Sequence, residues 1–280
     1  MDADVNKIPF QVVVFGEFGP RQVRVLWNDE HRPPHPELDA LVAETWARKL
    51  AECQRTGQIL FNGQLARYLR HRIEDGVLVI DAGPTDYVNF VGTNMLNHAR
   101  ADEFGWELFS NPIGTSAIVV TSDGWLLFGR RNHRVAPYGG YMHMFGGGLE
   151  AKDRRCDGTV DGFGSIRREL NEELDLYESD IDQIVCLGLV EERRIRQPEM
   201  IFDTQVSYTR AQISERIRPD HPDEEHTGVE ACWNAPDAIV PFVRSIDLIA
   251  PVAVGAIFQH GRRRFGEAWY RAAIDELARP

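Results

Sequence analysis

One short run constrains this chain more than any other: residues 168–176 read Arg-Glu-Leu-Asn-Glu-Glu-Leu-Asp-Leu. Two of its leucines stand one helical turn apart, which predicts a helix anchored to a core by those side chains. On that helix Glu169, Glu172 and Glu173 take positions i, i+3 and i+4 and share one face. Crowded carboxylates repel one another, and a bound Mg²⁺, which prefers hard oxygen ligands, relieves the repulsion. An exposed glutamate-rich helix face is the alternative interpretation.

A glycine-rich segment lies just upstream, where residues 145–150 read Phe-Gly-Gly-Gly-Leu-Glu. Consecutive glycines let the backbone approach a ligand closely, and their carbonyl groups can face a metal ion. A glycine run by itself is typical of a turn. The same run placed before a glutamate-rich helix is a much more specific signal.

Together the two segments resemble the signature of the Nudix hydrolase superfamily, in which a glycine precedes a loop acid and an Arg-Glu-Leu-x-Glu-Glu helix. Gly147 matches the first glycine, and Leu176 matches the last aliphatic position. The resemblance implies a Nudix fold and the hydrolysis of a diphosphate bond. It also implies a bound Mg²⁺, for which Mn²⁺ can substitute.

The chain departs from this signature at two points. Arg168 follows Gly147 by 21 positions where the signature has 14, so the loop between them carries a seven-residue insertion. The insertion leaves the loop acid open between Asp153 and Asp161. Asp175 stands where glycine is usual, and an Asp at a helix C-terminus can take the left-handed conformation at some cost.

A resemblance to one branch of the superfamily, the motif-22 branch, covers more of the chain. It is carried by residues 85–94, 111–114, 146–150 and 225–228. Animal members of that branch hydrolyse UDP-glucose and UDP-galactose to UMP and the sugar 1-phosphate. The resemblance therefore implies that the substrate is a nucleotide sugar.

The same resemblance implies roles for individual residues near the helix. Glu169, Glu173, Glu172 and the carbonyl of Gly146 are the implied metal ligands. Arg168 can pair with Glu172, four residues on, and orient it. The general base stays open between one of these glutamates and an acid from another loop, namely Glu192, Glu199 or Glu225.

Substrate contacts are expected from residues spread along the chain, namely Phe61, Tyr87, Arg131, Ala136, His143, Gly148 and Glu150. Tyr87 can stack on a base or ribose, and Arg131 can hold a diphosphate by charge-assisted hydrogen bonds. Core packing is the alternative for Phe61 and Tyr87, and a surface position is the alternative for Arg131. His143 replaces an expected acid and Gly148 an expected histidine, which leaves the leaving group open.

Composition excludes several other classes of protein. The formal net charge is −12, which argues against binding to nucleic acid or to an anionic membrane surface. The four cysteines lie far apart without a CxxC pair, so we expect free thiols, no zinc site and a cytoplasmic location. An acidic protein repels phosphate, so a cation or local arginines must offset the charge. The arginines at positions 193, 194 and 196 are one such cluster, with a solvated turn as the alternative.

Predicted strands alternate with helices, and several strands form hairpins, which favours an α/β (α+β) fold with a mixed sheet packed between helices. We expect a small N-terminal α/β domain at residues 1–110 that contributes to substrate binding. Residues 111–280 are expected to form the Nudix hydrolase domain. Periodicity predicts helices at 37–52, 86–100, 163–175 and 252–277.

Two alternatives to a UDP-sugar hydrolase stay open at this point. The first keeps the chemistry and changes the substrate to ADP-ribose, a dinucleotide polyphosphate or a coenzyme A derivative. The second is a nucleotide-sensing module that has lost catalysis, because fold does not fix function. The intact glutamates argue against the second alternative. We expect a monomer or a homodimer.

Overall fold

The computed structural model describes residues 8–56, 60–133, 138–216 and 225–279. Its strands are β1 (Phe10–Phe18), β2 (Val23–Trp27), β3 (Gln64–Glu74), β4 (Val77–Asp86), β5 (Gly114–Val120), β6 (Trp125–Arg131), β7 (Met142–His143), β8 (Phe145–Gly148), β9 (Thr159–Val160), β10 (Ile181–Glu192), β11 (Pro198–Val206) and β12 (His226–Trp233). Its α-helices are α1 (Pro36–Thr56), α2 (Tyr87–Phe90), α3 (Ala101–Phe104), α4 (Gly162–Leu174), α5 (Arg210–Arg216), α6 (Ile239–Ser245), α7 (Pro251–Phe265) and α8 (Glu267–Leu277).

The strands form two sheets. The larger has the order β1-β10-β11-β5-β6-β12, with β7 paired to β6 and β8 paired to β5. In it β11 and β5 run parallel while the other pairs are antiparallel, so the sheet is mixed. The smaller sheet has the order β3-β4-β2-β9. Because β8 pairs with β5, the glycine-rich segment is held as an edge of the larger sheet, directly beside α4.

Helices cover both faces of the larger sheet. Leu170 and Leu174 of α4 lie in one apolar core with β5 and β11. Ile257 and Phe258 of α7 lie in a second core on the other face, and both are fully buried. The predicted mixed sheet between helices is therefore confirmed.

Both ends of helix α4 are closed by capping interactions of nearby residues. Asp161 caps its N-terminus, since its Oδ1 accepts a hydrogen bond of 2.8 Å from the Gly164 amide. At the other end Asp175 takes the left-handed conformation, with φ 53° and ψ 37°. The Leu176 amide then donates to the Leu170 carbonyl at 3.3 Å, a closure typical of a helix C-terminus.

Strands from both sides of the predicted boundary at residue 110 share the two sheets. β1 pairs with β10 in the larger sheet, and β9 pairs with β2 in the smaller one. Backbone hydrogen bonds also join β3 to the glycine-rich segment, from the Ala66 amide to the Leu149 carbonyl at 2.7 Å. The N-terminal region is thus tied to the segment beside α4, and the boundary itself stays a prediction.

Two of the helix predictions were wrong. The helix predicted at 86–100 is short α2 followed by a π-helical turn, Val91–Met95, where Gly92 packs so closely on α1 that a Cβ would lie 2.8 Å from Val42 Cα. The long C-terminal helix is two helices, α7 and α8, because Gly266 breaks it with φ 89°. Strand β12 was missed. Within the described ranges, none of the helices combines the length and apolar character needed to span a bilayer.

Candidate active site

The glutamates of α4 meet the glycine-rich strand β8. The Glu173 Oε2 atom accepts a hydrogen bond of 2.7 Å from the Gly146 amide. A Cβ at Gly147 would lie 2.9 Å from the Glu169 carboxyl carbon, and a Cβ at Gly146, whose φ is 146°, would overlap the Thr115 carbonyl oxygen. Only glycine therefore lets the β8 backbone and the two carboxylates come this close.

Carboxylates crowd at this contact. Burial raises the pKa of Glu173 well above its ordinary value, and the charges of Glu225 and Glu169 raise it further. Burial also raises the pKa of Glu169 to about 7, while Arg168 opposes the rise and the charges of Glu172 and Glu225 add to it. The buried Glu173 Oε1 atom has no hydrogen-bond partner among the described residues, although His226 Nδ1 lies 3.4 Å away. The arrangement concentrates negative charge and leaves an oxygen free to accept.

Glu172 lies at the exposed edge of this group of carboxylates. Its side chain is 59% exposed, against 14% for Glu169 and 7% for Glu173, and its carboxylate lies 3.8 Å from the Nε atom of Arg168. The three glutamates share one helix face, as predicted, but Glu172 lies at its solvent-exposed edge. Its role as a metal ligand stays a prediction. Each helical residue is rotated by about 100° from the one before it. Glu172 and Glu173 therefore point to opposite sides of the direction in which Glu169 points.

Arg168 is held by the loop acid that the sequence left open. Its Nη1 donates to Asp153 Oδ1 at 2.5 Å, and its Nη2 donates to Glu169 Oε1 at 2.8 Å. Of the two candidates, Asp153, with a side chain 6% exposed, is therefore the one that contacts Arg168. The predicted pairing with Glu172 is only a long contact. The other candidate, Asp161, is used as the N-cap of α4.

The residues present fit Mg²⁺ or Mn²⁺. The available donors are carboxylate and backbone oxygens, which such hard cations prefer, and one of them is the buried Glu173 Oε1. In the described part of the chain, no three His, Cys, Asp or Glu side chains form a preassembled metal cage. Mg²⁺ does not require a cage, because it commonly takes one or two carboxylates and completes its shell with water and phosphate oxygens.

A cleft of about 790 Å³ opens beside this contact and brings the predicted substrate residues together. The predicted residues that line it are Phe61, Tyr87, Arg131, His143, Gly146, Gly148 and Glu150. The predicted contact Ala136 lies outside the described residues. The N-terminal region and the region around α4 therefore contribute to one shared cavity.

Arg131 lies at the centre of the charges in this cleft. It is 9% exposed, its Nη1 lies 3.7 Å from Glu225 Oε2, and its Nε has no hydrogen-bond partner within the described ranges. Burial lowers the pKa values of His143 and His226, each to about 3, and the charge of Arg131 is the second largest cause. The surface alternative for Arg131 was therefore wrong. A buried guanidinium with unused donors suits an anionic ligand.

The two aromatic candidates differ in burial. Tyr87 is partly buried and makes edge contacts with Trp46 and Phe90, at ring-centroid distances of 6.4 and 6.2 Å. Phe61 is 74% exposed on the wall of the cleft, so the core-packing alternative for this residue was wrong. An exposed aromatic ring at a cavity has a face available for stacking.

The arginines of the predicted cluster pair with other groups of the protein. Arg193 donates from Nε to the Ile8 carbonyl at 2.9 Å, and Arg196 pairs with Glu191 at 2.7 Å. Sequence reasoning missed other cleft residues, chiefly Ser116 and Tyr138. Neither belongs to a motif, so no pattern in the sequence singled them out.

No protein-family model matches the chain. Among curated proteins it is 25% identical over 224 residues to Nudix hydrolase 9 of Arabidopsis thaliana, covering 68% of this chain and 71% of the relative. It is also 25% identical over 257 residues to a Mus musculus protein, covering 82% of this chain and 81% of the relative. A solved NUDIX hydrolase from Nitrosomonas europaea is 15% identical with a TM-score of 0.32, covering 54% of this chain and 89% of its own.

These curated relatives confirm the resemblance to the Nudix hydrolase superfamily that the glycine-rich segment and the glutamate helix predict. They support a pyrophosphohydrolase. Within that class, the mouse relative is named uridine diphosphate glucose pyrophosphatase NUDT22.

Proposed function

We propose that the protein is a Mg²⁺-dependent hydrolase that cleaves the diphosphate bond of a nucleoside diphosphate sugar. UDP-glucose or UDP-galactose is the proposed substrate, and UMP and the sugar 1-phosphate are the products. The observation that carries the proposal is the contact of Glu173 and Glu169 with Gly146 and Gly147, two glycines that line a cleft together with the buried Arg131. The name of the mouse relative supports the choice of substrate.

Glu169, Glu173 and the Gly146 carbonyl would hold the cation, with Glu172 as an outer neighbour of Glu169. When bound, Mg²⁺ neutralises charge on the phosphate oxygens and polarises the attacking water. Arg168 keeps Glu169 in place through its hydrogen bond of 2.8 Å, so Arg168 acts as a positioning residue.

Arg131 would bind the diphosphate, because its Nε–H is unused within the described ranges and it faces a cleft otherwise rich in carboxylates. Phe61 and Tyr87 line the part of the cleft that the N-terminal region contributes, where their rings can stack on the base or ribose. His143, Gly148 and Glu150 line the same cleft and are proposed substrate contacts. The cytoplasmic location and the oligomeric state stay predictions.

The test is a substrate panel with purified protein and Mg²⁺: UDP-sugars, ADP-ribose, a dinucleotide polyphosphate and a coenzyme A derivative. We expect UMP and hexose 1-phosphate from the UDP-sugars, with the highest kcat/KM of the panel. Glu173→Gln should lower turnover by at least about 10²-fold, because the site loses a negative charge that attracts the cation. Glu178→Gln is the matched control, since that side chain is 77% exposed just beyond α4.

Two outcomes would contradict the proposal. Absence of turnover for every compound in the panel would favour a nucleotide-binding module instead. Equal rates for Glu173→Gln and the control, with unchanged thermal unfolding, would remove Glu173 from the reaction. A higher kcat/KM for ADP-ribose or another compound would keep the chemistry and change the substrate.

A further inference from the structure

The cleft has a polar region whose residues have no assigned contact with the substrate. Tyr138, Glu192, Glu199 and Ser116 line it. Glu192 is 4% exposed and Glu199 is 8% exposed. The Tyr138 hydroxyl donates to Glu192, and the Ser116 hydroxyl donates to Glu199 Oε2 at 2.5 Å. Both carboxylates are therefore fixed in place by hydroxyl groups of the protein.

This region and Arg131 line the same cleft. The charge of Arg131 acts on both Tyr87 and Glu199, so Arg131 stands near each of them. Glu199 in turn is close enough to Glu192 for their charges to interact. Phe61 and Tyr87 line this cleft too, so a ligand whose diphosphate contacts Arg131 can reach both the aromatic rings and the two carboxylates.

The charges in this region restrict what can bind there. Two buried carboxylates repel a further phosphate or carboxylate group. A second cation is disfavoured by Arg131 and by Arg194, whose Nε lies 3.6 Å from Glu192 Oε1. Burial raises the pKa of Glu192 and raises that of Glu199 to about 7, so each group accepts hydrogen bonds when ionised and can donate one when protonated. A matching ligand is therefore neutral and both donates and accepts hydrogen bonds. Hydroxyl groups of a sugar meet both requirements.

A second observation points to the same ligand. Arg131 is more than nine-tenths buried, lines the cleft, and has an Nε–H without a hydrogen-bond partner in the described part of the chain. A glycosyl phosphate is a ligand that places an anion beside Arg131 and neutral hydrogen-bond donors beside Glu199.

We propose that Glu192 and Glu199 are specificity-determining residues, which accept hydrogen bonds from the hydroxyl groups of the sugar attached to the diphosphate. This inference rests on the proposed function and adds the residues that select the leaving group. Tyr138 and Ser116 hold the two carboxylates in position for that contact.

The experiment compares UDP-glucose with the methyl ester of UDP, which keeps the nucleotide and the diphosphate but lacks the sugar hydroxyls. We expect wild-type kcat/KM to be at least about tenfold higher for UDP-glucose, because a site built to bind hydroxyls rejects an analogue without them. Glu192→Gln and Glu199→Gln should each lower the ratio of the two kcat/KM values by about tenfold, because a charge-assisted hydrogen bond becomes a neutral one.

Glu191→Gln is the matched control. Glu191 is 7% exposed, pairs with Arg196 at 2.7 Å, and is not among the described residues that line the cleft. We expect its substitution to leave the ratio unchanged. Thermal unfolding of all three variants separates a loss of fold from a loss of selectivity. The ratio of the two kcat/KM values in the wild type is an independent test, because it requires no substitution.

The outcomes are distinct. A wild-type ratio near one, or equal losses on both substrates in the two cleft variants, would overturn the inference; the second result would identify a general base or a structural role. No turnover of either substrate by the wild type would overturn the proposed function, and the inference with it.

Discussion

Gly147 offers a sharp test of the contact between β8 and α4. A methyl group at this position would lie 2.9 Å from the carboxyl carbon and Oε2 of Glu169 and 3.0 Å from Oε1. Ordinary contact begins near 3.4 Å, so Gly147→Ala must displace the carboxylate by about 0.5 Å. A 1 Å misplacement in an active site can lower the rate by about 10²-fold, which makes about tenfold the expected loss.

The backbone at Gly147 is not in the left-handed region, so alanine should cost no backbone strain there. We therefore expect kcat/KM for UDP-glucose to fall about tenfold, and the Mg²⁺ concentration for half-maximal activity to rise. Thermal unfolding should change little. Gly19→Ala is the matched control, because its added methyl group would meet only Gln22 Oε1, at 3.5 Å.

The reasoning would be refuted by wild-type kinetics in Gly147→Ala. It would also be refuted if activity fell only in proportion to a loss of folded protein, since the displacement of one carboxylate should not unfold the chain. Similar losses in Gly19→Ala would show that the assay responds to glycine substitution in general.

Other parts of the molecule give further predictions. Asp153→Asn should lower kcat/KM by about tenfold without unfolding the protein, since Arg168 loses a charged partner; steady-state kinetics and circular dichroism check this. Burial raises the pKa of Asp203, but the partners His260 and Arg263 lower it by more, so that the pKa lies below its ordinary value. Its contribution to stability is thus present above the unfolded-state pKa and lost as pH falls through the folded-state pKa, so Asp203→Asn should flatten the acid limb of a urea-denaturation pH series. Gly266→Ala should cost about 1–3 kcal/mol in the free energy of unfolding, because φ 89° and ψ 172° lie in a region that is essentially restricted to glycine, while no described atom lies within 4 Å of the new methyl group.

Buried charge explains why these tests separate function from folding. The cleft holds Glu192, Glu199 and Arg131, each less than a tenth exposed, although charged groups lose solvation when buried. A core without ligands gains nothing from such groups, whereas a site for a diphosphate sugar uses each of them. Variants that neutralise one of these charges should therefore lose activity or selectivity before they lose stability.

Local interactions made the helix and its ends predictable from sequence alone. The spacing of Leu170 and Leu174 specified α4, and the left-handed Asp175 followed from its place after the last helical turn. Hairpins around short turns were predictable for the same reason. These features depend on residues within a few positions of each other, so the sequence carries their cause directly.

Contacts between distant segments decided the rest. Tertiary packing turned Glu172 to solvent, selected Asp153 over Asp161 as the partner of Arg168, and carried β1 across to β10. No local pattern encodes these outcomes, because they depend on which surfaces remain to be buried once the sheets have formed. The sequence by itself determined the chemistry of the glutamate helix, and the tertiary structure decided which of its side chains contact the glycine-rich strand.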